Sequence, residues 1–226
     1  GGFPIYLRSE DGIVLKTLYD NILYKDVMVR NQIVNEREVK ELVYYTVSNI
    51  GKPLTYTSLA KVIGVKNPTT VKNYLEYIEN TYLLFSLSKL DYSVKAQLRN
   101  PKKVYAIDNA LVSRLGFHFS GEEGRLLENM VYIELRRRGG EIFYHNSGSA
   151  ECDFVVRDGF RVVQTIQACY LLGSSDTRER EIRGIQDAMD TYQLLEGTII
   201  TNTHEEELKY GNKMIHILPA WKWLRL

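Results

Sequence analysis

At 226 residues, with 44% apolar and 11% aromatic content, the chain is long and apolar enough to bury the core of one large domain or two small ones. No window approaches the ~18 uninterrupted apolar residues that a membrane helix needs, and the opening "GGFPIYLRSEDG" lacks the basic-then-apolar pattern of a signal peptide, so no membrane partner and a cytoplasmic location are expected. The net charge of +1 divides into 15 Lys and Arg against 11 Asp and Glu over residues 1–108 and 14 against 17 over 109–226, values that fit a solvated surface at least as well as a nucleic-acid footprint.

Residues 1–35 read as a loop and an irregular helix, with Leu15, Leu18, Ile22 and Val29 in rough helical register, forming a connecting segment too small to fold alone. Over 36–50, Val39, Leu42, Val43 and Val47 share one helical face, and Gly51 is the stop. "LTYTSLAKVIG" gives a short helix behind a Thr cap, closed by Gly64. The next helix has Asn67 as N-cap, Pro68 at its first position, and Val71, Leu75 and Ile78 at helical spacing. Two β-like runs follow, "YLLFSLSKLDY" and "KKVYAIDNAL", separated by the polar stretch "SVKAQLRNP". Three helices and a two-stranded ribbon over 36–115 are the layout of a winged helix-turn-helix, with residues 68–80 in the recognition-helix place.

Residues 116–226 change character. The helix "EEGRLLENMVYIELRRRG" leads to the strand "EIFYHN" and then to a hairpin over 151–170 turning at Asp158-Gly159. A helix across 176–197 containing Glu181, a strand "TIIT" and a last strand around "MIHILPAWKWL" complete an α/β domain. Cys152 and Cys169 lie in the hairpin without a CxxC pattern, so buried reduced thiols are expected rather than a zinc site or a disulfide.

The first domain offers Thr69, Thr70, Lys72 and Asn73 on the opening turn of its third helix, the end that meets base edges in helix-turn-helix proteins. Lys95, Arg99, Lys102 and Lys103 surround the expected wing, where they would touch phosphates of double-stranded DNA. Glu76 and Glu79 face the same groove or its rim and oppose that reading. In the second domain, Glu151 and Asp153 alternate onto one side of a strand and Gln167 lies on the partner strand. Glu128 leans toward the apolar face formed by Val131, Tyr132 and Leu135, where a lone carboxylate is costly without a partner. "RRRG" at 136–139 reads as a cationic helix C-terminus.

The blocks "GRLLENMVYIELRRRG", "ECDFVV" and "TIQACY" resemble, in order, the helix Glu, strand Asp and (D/E)-x-K of the PD-(D/E)XK nuclease superfamily. That resemblance implies that Glu128 and Asp153 are Mg²⁺ ligands and that Gln167 takes the second acidic position of the catalytic set, with Cys169 where the lysine belongs. An amide is a weaker Mg²⁺ ligand than a carboxylate, and a thiol cannot replace an ammonium beside the phosphate, so the site is expected to be degenerate. Arg178, Arg180 and Arg183 are the nearest basic supply in sequence.

Over nearly its whole length, through "GGFP", "SNIGKPLTYTSLAKVIGVKNPTTVKNYLEYIENTYLLF", "NPKKVYAIDNAL" and "PAWKWL", the chain also resembles the C-terminal region of a prokaryotic, archaeal-type AAA ATPase family. That resemblance implies an ATP-binding domain preceding this region in the same protein, and with it an intramolecular partner. This chain has no GxxxxGK[ST] loop of its own, so no cofactor beyond Mg²⁺ is expected in it. The expected fold class is therefore α/β: an N-terminal winged helix-turn-helix followed by a restriction-endonuclease-like α/β domain. The expected function is DNA binding or regulation, and the alternatives are an active Mg²⁺-dependent endonuclease or a module that docks onto the ATPase domain.

Overall fold

The structure, a computed structural model, describes residues 12–115 and 122–226. The opening "GGFP" and its loop lie outside the described residues, as do residues 116–121 at the boundary expected after residue 115. The chain forms two compact units, within the described residues 12–86 with 101–115, and 87–100 with 122–226. None of its described helices is long and apolar enough to cross a membrane.

The first unit begins with α1 (Gly12–Asn21), which runs into a π-helical segment, Ile22–Val29. Helices α2 (Glu36–Ser48), α3 (Tyr56–Val62) and α4 (Pro68–Glu79) follow. Their ends are set by local chemistry. The Thr55 hydroxyl accepts from the Ser58 N–H while Ser58 accepts from the Thr55 N–H, and the Asn67 side chain accepts from the Thr69 N–H ahead of Pro68. Val39, Leu42, Val43, Leu59, Val71, Leu75 and Ile78 are buried, the helical faces that spacing demands. Tyr74 on α4 donates to Glu38 on α2 at 2.9 Å.

Strands β1 (Leu84–Ser88) and β2 (Lys102–Ala106) make a two-stranded sheet, and Leu54 bridges Lys102 in antiparallel sense. The polar stretch between them is not a bare loop: Ser93 caps α5 (Val94–Arg99) by accepting from the Ala96 N–H, and Ala, Gln, Leu and Arg favour helix there. The run read as strand through 111 ends at Ala106, because Asp108 accepts the Ala110 N–H at 2.6 Å and starts α6 (Asn109–Leu115).

The second unit holds a six-stranded mixed sheet in the order β3-β4-β5-β6-β8-β7. Its elements are α7 (Glu122–Arg138), β3 (Glu141–Asn146), β4 (Glu151–Asp158), β5 (Arg161–Ala168), α8 (Ser175–Tyr192), β6 (Glu196–Thr201), β7 (Glu206–Tyr210), β8 (Lys213–Pro219) and α9 (Ala220–Trp223). β3, β4 and β5 are antiparallel, whereas β5, β6 and β8 run parallel, with α8 as the crossover between β5 and β6. The helix expected to run to 197 stops at Tyr192, where Gln193 adopts a left-handed φ of 58°. β7, a five-residue edge strand, buries no residue fully, only Leu208 packing against the core, and it escaped the sequence reading. The last strand ends at Pro219, which opens α9.

α8 lies against β4, β5 and β6, and its Ile185, Ala188 and Met189 join Cys152, Val155, Ile199, Ile215 and Ile217 in the core. Two glycines permit this approach. A Cβ on Gly184 would stand 2.1 Å from the Glu151 carbonyl oxygen, and one on Gly197 would meet Met189 Sδ at 2.7 Å. Gly184→Ala must therefore lift the helix off β4 and should lower unfolding free energy by about 1–3 kcal/mol. Gly124→Ala, in helix α7 with nothing within 4 Å of the added carbon, should be neutral or stabilising by up to about 1 kcal/mol. Chemical denaturation of both variants measures the difference.

Candidate functional site

A cleft of about 750 Å³ in the second unit is lined by the N-terminal part of α7 (Glu123, Arg125, Glu128), by Glu151 and Asp153 of β4, by Gln167 at the end of β5 with Cys169 beyond it, and by Arg180, Glu181 and Arg183 of α8. Glu128, Asp153, Gln167 and Cys169 thus converge from three separate stretches of sequence. β4 supplies its share at an irregularity. Phe143 pairs with Val155 but His145 pairs with Cys152, so Asp153 and Phe154 together oppose a single residue of β3. Such a bulge re-aims side chains. Phe154 turns to pack against Tyr132 of α7, with ring centroids 6.2 Å apart, while Asp153 lines the cleft.

Gln167 is the structural centre of the cleft. Its side-chain oxygen accepts the Asp153 N–H at 3.0 Å, and its amide nitrogen donates to Glu181 Oε2 in a short hydrogen bond. Those partners, one donor-only and one an acceptor, fix which end of the amide is which. The Asp153 carboxylate accepts the Ala168 N–H at 3.1 Å, and both Asp153 and Gln167 are buried. Glu151 accepts from Asn146 at 2.9 Å.

Glu181, on α8, was missed as a site residue, although it stands in register with buried Gly184, Ile185 and Ala188, the same signal that singled out Glu128. It is buried, and its second oxygen accepts from Arg180 Nε at 3.1 Å and from a terminal nitrogen at 2.6 Å. That ion pair holds the Arg180 guanidinium above its usual range. Arg180 therefore brings a positive charge to the cleft, where it acts on Cys169, Asp153 and Glu181 together. Arg178 is spent elsewhere, with one guanidinium nitrogen 2.8 Å from both carboxylate oxygens of Glu206.

Cys169 is the least reactive form a thiol can take here. Burial first, then the negative charge of Glu181 and Asp153, push it up to about 11, and its sulfur donates to the Leu171 carbonyl. It supplies neither a cation nor a nucleophile at neutral pH.

Two of the cleft's donors, Gln167 and Glu181, are committed to partners within the protein. Among the described residues no group of three or more His, Cys, Asp or Glu side chains is arranged to hold a metal ion. The Gln167 oxygen is directed at a backbone N–H, and Glu181 is held by Arg180 and Gln167.

In the first unit, Thr69, Lys72 and Asn73 are exposed on the opening turns of α4 and Thr70 is half-buried. Lys102 and Lys103, expected to meet phosphates, are instead buried in β2, with Lys103 only 1% exposed. β2 is covered along its whole length, so alternation does not turn either ammonium to solvent. Burial also lowers the Lys102 ammonium below its usual range, partly offset by Glu79. Lys95 and Arg99 are exposed on α5, which belongs to the second unit. Glu79 turns from solvent to accept the Ser86 N–H at 2.5 Å. "RRRG" ends α7 as a cationic C-terminus, with Arg138 3.0 Å from Glu134.

The bridge and the thiol give a joint test. Gln167→Leu leaves the Asp153 N–H and the Glu181 carboxylate without their shared partner and should cost about 1–3 kcal/mol. In the native protein, Cys169 alkylation by iodoacetamide should stay slow at pH 8 and accelerate only as pH climbs toward 11, because the thiol is protonated below that value. Denaturant melts and mass-resolved labelling rates read the two effects.

An uncharacterized protein of Methanocaldococcus jannaschii is 33% identical over 241 residues, covering 99% of this chain and 53% of the relative. An uncharacterized protein of Haemophilus influenzae is 26% identical, covering 99% of this chain and 56% of that one. The chain thus spans about half the length of the curated relatives it matches. No solved structure matches it. Residues 123–223 match a second family model, "Domain of unknown function (DUF4143)". With the model described as "Domain of unknown function (DUF8612)" matching residues 1–122, more than half of the chain, the chain belongs to that family.

Proposed function

We propose that this chain is a DNA-binding or regulatory region of an AAA-type ATP-binding protein: a winged helix-turn-helix followed by a restriction-endonuclease-like domain that has lost cleavage. The observation that carries the second half is the Gln167 bridge. A cleavage site needs oxygen ligands directed at a metal and a cation beside the attacking water. Here the residue in the second acidic position is an amide turned to a backbone N–H and to Glu181, and the lysine position holds a buried thiol with its pKa raised to about 11. Losing one preorganised electrostatic contact of this kind typically costs on the order of 10²–10³ in rate.

DNA binding is supported by the succession α2, α3, α4 and the paired strands β1 and β2, with Leu54 adding a third bridged position, and by the exposed Thr69, Lys72 and Asn73 at the start of α4. The relatives are about twice as long as this chain, which leaves room in them for an ATP-binding domain. That domain is the intramolecular partner of this reading.

Incubation with supercoiled and branched DNA in Mg²⁺ or Mn²⁺ should give binding without cleavage. Robust nicking that disappears in Asp153→Ala overturns the reading in favour of an endonuclease. Cys169→Lys would place an ammonium beside Asp153 and Glu181, and nicking gained there alone locates the defect at that position. Lys72→Glu should weaken duplex binding and reduce the slope of log affinity against log salt by about 0.9 for the lost phosphate contact. Unchanged duplex affinity in that variant transfers the first unit to protein docking.

A further inference from the structure

The arginines that end α7, Arg136, Arg137 and Arg138, and the C-terminal "WKWLRL" are far apart in sequence, and neither group lines the cleft. The fold brings them together. Arg138 donates to the Trp223 carbonyl at 3.0 Å and its guanidinium lies 4.2 Å from the Trp223 ring centroid, fixing the last turn of α7 to α9. Trp223 is buried by this contact and anchors the junction, whereas Trp221 two residues earlier is 56% exposed. The Arg225 guanidinium lies 5.4 Å from the Trp221 ring centroid. Arg137 is exposed at the end of α7, its side chain 71% accessible, whereas Arg136 donates to the Tyr132 hydroxyl at 3.5 Å with its guanidinium 6.0 Å from that ring's centroid.

Two carboxylates temper this charge. Glu134 is shared by Arg137 at 4.0 Å and Arg138 at 3.0 Å, and Glu205 pairs with Lys222. Arg138 joins Arg137 to Lys222 and Arg225 at this junction, a cationic surface that carries the accessible Trp221 indole. Exposed ion pairs of this kind contribute little and exchange readily for a phosphate.

We propose that this surface binds single-stranded nucleic acid, with one base stacked on Trp221 and the adjoining phosphates met by Arg225 and Arg137. The pairing of an aromatic platform with a cationic track is what sequence-tolerant single-strand binding requires. A duplex offers no unstacked base to Trp221, so it engages the arginines alone. An anionic membrane is the less fitting partner, because α9 is one helical turn of four residues, about 6 Å long, and cannot lie along a bilayer as an amphipathic anchor. The site is separate from the proposed duplex contact on α4 and does not depend on it.

The molecule carries its own reporter, because its two tryptophans are Trp221 and Trp223. Titration of the whole chain with a 20-nucleotide oligo-dT in low salt should quench tryptophan fluorescence, while a duplex of equal length quenches it weakly or not at all. Trp221→Ala should lower oligo-dT affinity by roughly tenfold or more, as loss of one base stack does, and Trp221→Phe should restore most of it. Arg137→Ala and Arg225→Ala should each reduce the salt slope by about 0.7. Anisotropy of a labelled oligonucleotide follows the variants that lack Trp221, and thermal melts show that they fold. Lys72→Glu should leave the quench unchanged, so failure here and failure of the duplex reading are separable. Absence of quench and of affinity loss in Trp221→Ala overturns the proposal, and so does a quench produced by phosphatidylserine vesicles but not by oligo-dT.

Discussion

The close approach of α8 to the sheet at Gly184 is the constraint on which the second unit rests. With no side chain between the helix and the Glu151 carbonyl, α8 can sit low enough for Ile185, Ala188 and Met189 to reach the core over β6, and Gly197 clears the space beneath them. The same approach sets the depth of Glu181, one turn earlier on the helix. A helix raised by the width of a methyl group would withdraw that carboxylate from Gln167, and the hydrogen bond between strand and helix would be lost.

From that depth follows the electrostatic character of the cleft. A buried carboxylate needs a partner, and Glu181 has two, the Gln167 amide and the Arg180 guanidinium. Gln167 is suited to its place because a neutral donor there satisfies Glu181, whereas a second carboxylate would meet it as a like charge at hydrogen-bond distance. Cys169, close to Glu181 and Asp153, is driven further toward the neutral thiol by the same charges. The centre of the cleft is therefore internally compensated, with Asp153 held by a backbone N–H and Glu181 by an amide and a tethered arginine.

The first unit follows a different logic, in which local caps do most of the specification. Thr55 with Ser58, Asn67 with Pro68, and Glu79 reaching the Ser86 N–H each satisfy groups at a helix end and direct the chain into the next element. Thr69, Lys72 and Asn73 at the first turns of α4, like Glu76 further on, are exposed because the buried face is supplied by Val71, Leu75 and Ile78.

Helices α2, α3, α4 and α7 and the β4–β5 hairpin were legible in the sequence, because caps, apolar period and a Gly turn act over a few residues and need no distant partner. Glu128, Asp153 and Gln167 could likewise be named from their places on those elements, and Cys169 from the resemblance to the nuclease blocks. α5, β7 and α9 were not legible: they are short, they lack an apolar period, and a one-turn helix or an edge strand is held by what it meets rather than by its own residues. The burial of Lys102 and Lys103 was hidden for a related reason, since a lysine in a strand is charged and soluble on paper and only the covering of β2 shows where it lies. The sequence by itself determined where most regular elements begin and end, and which residues carry carboxylate, amide or thiol chemistry. Only the tertiary structure decided that Glu181 and Arg180 enter the cleft and that Gln167 at its centre is engaged by the Asp153 N–H and Glu181, because those contacts depend on the packing of a helix on a sheet.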